Sequence, residues 1–381
     1  MRSTAVFSRP GHFGRVDWEF DDRTIYVTPQ GMSTETYPLR QISGFSGDDY
    51  TLQFGYEGHQ FTLSRLGADG PTLRERLLRR WPLLRAEALC IDGGGEPEYF
   101  TTQYAAGEQE MRPCTVLLYD DVMILAMEDC DVTPVYLSSL SHVVRDESAY
   151  SVSFVRWDRT GGTFSRMGAR TDEFVSKLDE TRRCLAAEGA STLSTHLPTL
   201  TPSARAALTA RWLPGEMIPL AALEAGAPGI RNALVASWMA IGPRAKEAEV
   251  LLAGASLEQT FVGYERRPDG EASPLWLLVG REWQWFLENL SEETYATYRF
   301  SAGPEMPSLA GMLLKSQRFS REALYLPLEE LAGARGDLAM PAAELPFLMQ
   351  LRERFQGRII HDDFAVWRET ITRIEQGDRS A

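Results

Sequence analysis

Two stretches of this chain spell the same order of features about 100 residues apart, and nothing else in it limits the fold as strongly. The first reads RTIYVTPQGMSTETYPLRQISGF, DDYTLQF and HQFTLSRLGADGPTLRERLLRRW. The second reads CTVLLYDDVMILAM, TPVYLSSLSHVV, SAYSVSF and GTFSRMGARTDEFVSKLDETRRC. Each opens with a β-rich pair. A Tyr-Leu element ending in an aliphatic follows: Tyr37, Leu39 and Ile42, matched to Tyr136, Leu137 and Leu140. Short alternating strands come next, Tyr50-Leu52-Phe54 and Tyr150-Val152-Phe154. Strands opening on Phe61 and Phe164 then run into Ser64-Arg65-Leu66-Gly67 and Ser165-Arg166-Met167-Gly168, and a helix closes each unit.

Periodicity supplies the physical content. Tyr50, Leu52 and Phe54 alternate with Thr51 and Gln53, as on a half-buried strand. Val116–Leu118, Asp120-Asp121 and Val122–Leu125 predict a hairpin with an acidic turn. Leu73, Leu77 and Trp81 predict one apolar stripe on a helix ended by Pro82. Phe174, Leu178 and Leu185 predict its counterpart, capped by Thr171 or Asp172.

Short antiparallel strands closed by one amphipathic helix, with Tyr37-Pro38-Leu39-Arg40-Gln41-Ile42 between strand pairs, resemble bacterial pleckstrin-homology (PH)-like domains. The resemblance covers roughly half the chain. It implies an α+β fold: PH-like unit 1 over residues 1–88 and PH-like unit 2 over 96–187, each a bent antiparallel sheet capped by a C-terminal helix. Its lipid-binding members carry a basic cluster in the first strand hairpin. Residues 24–37 and 115–131, taken as the matching stretches, hold no Lys or Arg, so phosphoinositide binding is not expected.

Composition narrows the function. The formal charge is −14, and residues 91–190 hold 9 basic against 18 acidic side chains. Such a field repels nucleic-acid backbones and anionic lipid, so no nucleic-acid partner is expected. Only three lysines occur, Lys177, Lys246 and Lys315, and no phosphate-binding Gly-Lys motif exists. Cys90, Cys114, Cys130 and Cys184 show no metal-ligand spacing and suggest reduced thiols. The N-terminal residues lack the apolar core of a secretion signal, and Ala233–Ile241 is too short to span a bilayer. The expectation is a cytoplasmic chain with no transmembrane segment, no cofactor and no metal.

Residues 186–202, rich in small residues and Pro, suggest a linker. A helical segment is expected over 200–255 and an α+β C-terminal domain over 256–381, either a third divergent PH-like unit or a plain α+β domain. Strand-like runs occur at Phe261–Arg266, Leu275–Val279, Trp283–Leu287 and Tyr295–Phe300. Ala323–Leu331 echoes the Tyr-Leu element.

No residue stands out as catalytic. His361-Asp362-Asp363 is the most suggestive cluster, but Asp362 or Asp363 as N-cap of a helix over Phe364–Ile371 explains it better. Gly93-Gly94-Gly95 is followed by Glu96 and Glu98 and suggests a linker rather than a phosphate cradle. Arg65 and Arg166 suggest strand-end residues before a turn. The candidate partner-binding residues are acidic and aromatic: Glu128, Asp129, Asp131, Asp146, Glu147, Trp283 and Trp285. Together these features suggest a non-enzymatic protein-interaction scaffold with a basic protein partner. The alternatives are a hydrolase sited near His361 and a peripheral lipid- or ligand-binding module.

Overall fold

The computed structural model describes residues 1–93, 95–128, 130–209, 212–241, 244–253, 255–265, 275–280, 283–289, 295–316 and 321–376. It forms two compact units, Met1–Thr181 and Arg182–Ala381.

The first unit contains two seven-stranded antiparallel sheets. β1 (Arg2–Arg9), β2 (His12–Phe20), β3 (Thr24–Pro29), β4 (Glu35–Pro38), β5 (Ile42–Gly47), β6 (Thr51–Tyr56) and β7 (His59–Ser64) pair in the order β4-β3-β2-β1-β7-β6-β5. α1 (Gly70–Ala88) follows. β8 (Glu98–Ala106), β9 (Arg112–Leu118), β10 (Val122–Met127), β11 (Thr133–Tyr136), β12 (Leu140–Asp146), β13 (Ser151–Arg156) and β14 (Gly161–Ser165) repeat that order, from β11 through β8 to β12. α2 (Thr171–His196) follows the second sheet.

The duplication extends to irregular backbone. Register slips after Ile42 in β5 and after Leu140 in β12. Arg65 and Arg166 both take a left-handed conformation at φ 60°, and Gly67 and Gly168 follow at 61° and 62°. A non-glycine residue there is uncommon, so two in the same place mark one template used twice.

Register also corrects the sequence frame. Leu39 and Leu137, both fully buried, each open a short helical turn. Ile25 pairs with Tyr37 where Met123 pairs with Val135. The structural counterpart of Tyr37 is therefore Val135, and Tyr136 matches Pro38. The paired tyrosines of the sequence comparison lie one residue out of step. The β-rich pair that opened the first stretch is β3–β4, and β1–β2 precedes it. Val16, Trp18 and Phe20 are buried along β2 while Asp17 and Glu19 are exposed, as alternation dictates.

α1 lays Leu73, Leu77 and Trp81 on its own sheet, where the Trp81 indole donates to the Ile42 carbonyl at 2.8 Å. Pro82 lies inside this helix rather than ending it. The ring removes one helix hydrogen bond, but Arg85, Ala86 and Leu89 beyond it are all buried and hold the chain helical. α1 also packs against β9 and β10, so it is a shared layer between the sheets.

In the second unit, residues 186–196 continue α2 instead of forming a linker. Their small side chains permit close packing. A Cβ on Gly189 would stand 2.8 Å from the Tyr264 hydroxyl, and Leu193 and Leu197 are buried. α3 (Pro202–Thr209), β15 (Ile218–Pro219), α4 (Leu220–Gly226), α5 (Ile230–Ile241) and α6 (Arg244–Leu252) follow. β16 (Thr260–Tyr264), β17 (Leu275–Gly280), β18 (Trp283–Asn289) and β19 (Tyr295–Ser301) come next. Then come α7 (Met306–Lys315), α8 (Glu322–Tyr325), α9 (Leu328–Ala334), α10 (Gly336–Glu344), α11 (Pro346–Arg354), β20 (Phe355–His361) and α12 (Phe364–Glu375). The sheet is a six-stranded meander from β15 to β20 in sequence order, with α7–α11 inserted before its last strand. The expected echo of the Tyr-Leu element falls on α8 and α9.

Candidate functional site

The first sheet curls until its edge strand β4 meets β6 and β7. Tyr37 on β4 lies 5.2 Å from the rings of Phe54 and Tyr56 and 5.0 Å from that of Phe61. Phe7 on β1 stacks on Phe61 at 6.1 Å and lies 6.0 Å from the Tyr37 ring. This aromatic core opens into a pocket of ≈ 430 Å³ lined by Arg9, Glu35, Tyr37, Tyr56, Glu57, His59 and Phe61, among others.

Strand alternation puts these groups on one face. Glu35 and Tyr37 are two residues apart on β4, as are Phe7 and Arg9 on β1. Arg9 Nη2 donates to Glu35 Oε1 at 2.7 Å, and the Tyr37 hydroxyl donates to Glu35 Oε2 at 2.5 Å. Glu35 thus has both oxygens engaged. Burial, reinforced by the Glu35 carboxylate, pushes the Tyr37 phenol far above its ordinary range, so it stays a donor. Burial also raises Tyr56, whose hydroxyl donates to Gln41 Oε1 at 3.1 Å.

The second sheet holds none of this. Register places Ala106 where the first sheet has Arg9, Thr133 for Glu35, Val135 for Tyr37, Arg156 for Tyr56 and Gly162 for Phe61. The Tyr104 ring lies directly against Gly162, filling space that a Cβ would need. The fold therefore does not require the polar groups of the first pocket.

The acidic residues singled out in the sequence have separate fates. Glu128 pairs with Arg74 of α1. Asp131 accepts from Arg85 Nε at 2.9 Å and Nη2 at 2.5 Å, while Arg85 Nη1 donates to the Arg40 carbonyl at 3.1 Å. Arg85 is fully buried. Glu128 and Asp131 thus bind α1 rather than forming a free acidic face. Asp129 lies outside the described residues. Asp146 accepts from the Ser148 hydroxyl and the Ser148 and Ala149 amides, which hold its carboxyl below the ordinary range, and Glu147 is exposed. Of the aromatic pair, Trp285 is buried in the core of the second unit. Trp283 lies on β18, and its side chain is outside the described residues.

His361 ends β20 and is buried, with Nε2 3.2 Å from Oε1 of the buried Glu247 on α6. Asp363 is the N-cap of α12, accepting from Ala365 N at 2.6 Å and Val366 N at 3.2 Å. Asp362 is exposed. Gly93 packs against Tyr119 and Asp121, so no side chain fits there. Among the described residues, no group of three or more His, Cys, Asp or Glu side chains is placed to hold a metal ion, and no helix is long and apolar enough to cross a membrane.

The pocket escaped the sequence reading because its groups come from four strands, β1, β4, β6 and β7, spread over more than 50 residues of the chain. The stretches expected to match the first strand hairpin are displaced as well. The first hairpin is β1–β2, which carries Arg2, Arg9 and Arg15, whereas residues 24–37 run from β3 into β4. No protein-family model matches the chain, and no curated protein matches it.

Proposed function

We propose that this chain is a non-enzymatic cytosolic recognition protein whose tandem PH-like units form a platform for a protein partner. One observation carries the reading: the open edge of the second sheet. β12 is an edge strand with His142, Val144, Arg145 and Asp146 exposed, and Val144 is 52% exposed. Tyr150, at the turn into β13, is 82% exposed. Unpaired strand edges are templates for an added strand, and proteins usually protect them. The counterpart strand β5 is more enclosed, since a Cβ on Gly44 would stand 3.1 Å from the Cys130 carbonyl oxygen. The arginine pairs of α1 hold the two sheets as one body, which suits a platform.

The test is affinity capture from cells of the source organism with the wild-type chain and a Val144→Pro, Tyr150→Ser variant. A partner held by the wild type and lost with the variant supports the reading. Equal capture by both, or recovery of the bait alone, overturns it. A hydrolase in the second unit is the second reading, favoured by the buried His361–Glu247 pair. A hydrolase screen with His361→Ala as control tests it.

A further inference from the structure

The pocket of the first sheet and the β1–β2 hairpin beside it leave polar groups unused. Arg9 spends Nη2 on Glu35, while its Nε is covered and has no hydrogen-bond partner. A guanidinium carries five N–H donors in one plane, so most of its donor capacity remains open. His12 pairs with Arg9 across the β1–β2 hairpin and so projects to the same face. Its Nε2 is likewise covered and without a partner. Covered nitrogens of this kind are usually satisfied by a protein group, a water, an ion or a ligand.

The same pocket also carries the opposite sign. Glu57, at the β6–β7 turn, lines it, is exposed and lies beside the Tyr56 hydroxyl. Tyr37, Tyr56 and Phe61 line the same pocket. The pocket thus combines donors of Arg9, an exposed carboxylate at Glu57 and aromatic walls. A polyanion would face Glu35 and Glu57, and a simple cation would face Arg9. A ligand carrying both charges meets complementary groups at each end. The volume lies within the span of about 300–1,000 Å³ usual for small-ligand sites.

We propose that this pocket binds a zwitterion of the amino-acid type, with its carboxylate on Arg9, its ammonium toward Glu57 and an apolar side chain against Tyr56 and Phe61. A free amino acid and a short peptide share that chemistry. The second sheet, with Ala106, Thr133 and Val135 at the matching positions, has no such site. The inference does not depend on the scaffold reading, because the pocket and the β12 edge lie on different sheets.

Calorimetric titration of the full chain tests it, with L-phenylalanine, Phe-Phe, N-acetylphenylalanine, phenylalanine amide and inorganic phosphate as probes. Saturable binding of a zwitterion is expected, weakened at least tenfold when either end is blocked. Stronger binding of Phe-Phe assigns the source as a peptide, and stronger binding of phenylalanine as a free amino acid; both support the site. Arg9→Lys keeps a cation for Glu35 but loses the planar fork, and Glu57→Gln removes the charge from a surface turn. Each should weaken binding about tenfold with the circular-dichroism spectrum unchanged. The proposal is overturned if neither zwitterion saturates at millimolar concentration, if N-acetylphenylalanine binds as well as phenylalanine, if phosphate alone binds, or if both variants bind like the wild type.

Discussion

Phe61 in the first sheet and Gly162 in the second hold the same register position, and the chain fills the space around them in opposite ways. In the first sheet Phe7, Phe61 and Tyr37 supply three rings from three strands. In the second, Tyr104 lies against a bare glycine and Val135 replaces Tyr37. Both copies keep the strand order, the register slip and the left-handed arginine. A core of similar total volume in the same pattern tolerates such exchanges. The frame is thus the invariant part, and the polar pocket is a local addition to one copy.

The copies also differ in their helices. α1 is sandwiched between two sheets and carries the buried Arg85, whereas position 186 on α2, at the matching turn, is alanine. The largest effect is expected there. Asp131→Asn removes a counter-charge from a buried guanidinium, and with Asp131 itself 36% exposed it should cost up to about 3 kcal/mol. Chemical denaturation should show that loss, with the two sheets unfolding in separate steps. A single unshifted transition would mean that Arg85 does not join the copies.

Tyr37→Phe removes one donor from Glu35 and keeps the ring packing. Roughly 1 kcal/mol should be lost in chemical denaturation. An unchanged midpoint would mean that the Tyr37 hydroxyl does not hold Glu35.

The smallest effect concerns Asp22, which belongs to the first copy. The Arg76 guanidinium, bound through Nε at 2.8 Å and Nη2 at 2.5 Å, holds its carboxyl below the ordinary range. A lowered folded-state value gives stability that is present above about pH 4, the unfolded value, and is lost as pH falls through the folded one. The exposed setting keeps the effect to a fraction of a kcal/mol. Asp22→Asn should flatten the acid limb of the stability profile slightly and leave pH 7 nearly unaffected apart from that fraction.

Much of this was legible in the sequence, and the failures have physical causes. Strand alternation located most strands of both sheets and the runs at 261, 275, 283 and 295. The apolar stripes of α1 and α2 were equally plain. The frame slipped because two tyrosines, Tyr37 and Tyr136, look equivalent as letters, although only pairing with β3 and β10 decides which face each takes. β1–β2 could have been found from the alternation of Val16, Trp18 and Phe20. Residues 186–196 read as a loop because Ala, Gly, Ser and Thr are cheap in linkers, yet the same small side chains let a helix pack closely on Trp212 and Tyr264. The acidic run at 128–131 read as a solvated tip because its arginine partners lie 46 and 54 residues away. No local pattern reports a contact of that range, and the same limit hid the pocket.

Hydrogen–deuterium exchange on the full chain, read at β5 and β12, tests most directly the claim that two copies of one fold differ in their surroundings. Ile42–Gly47 should exchange several-fold more slowly than His142–Asp146, because Cys130 and α1 enclose the first edge. Equal protection of both strands, or faster exchange at β5, would contradict it.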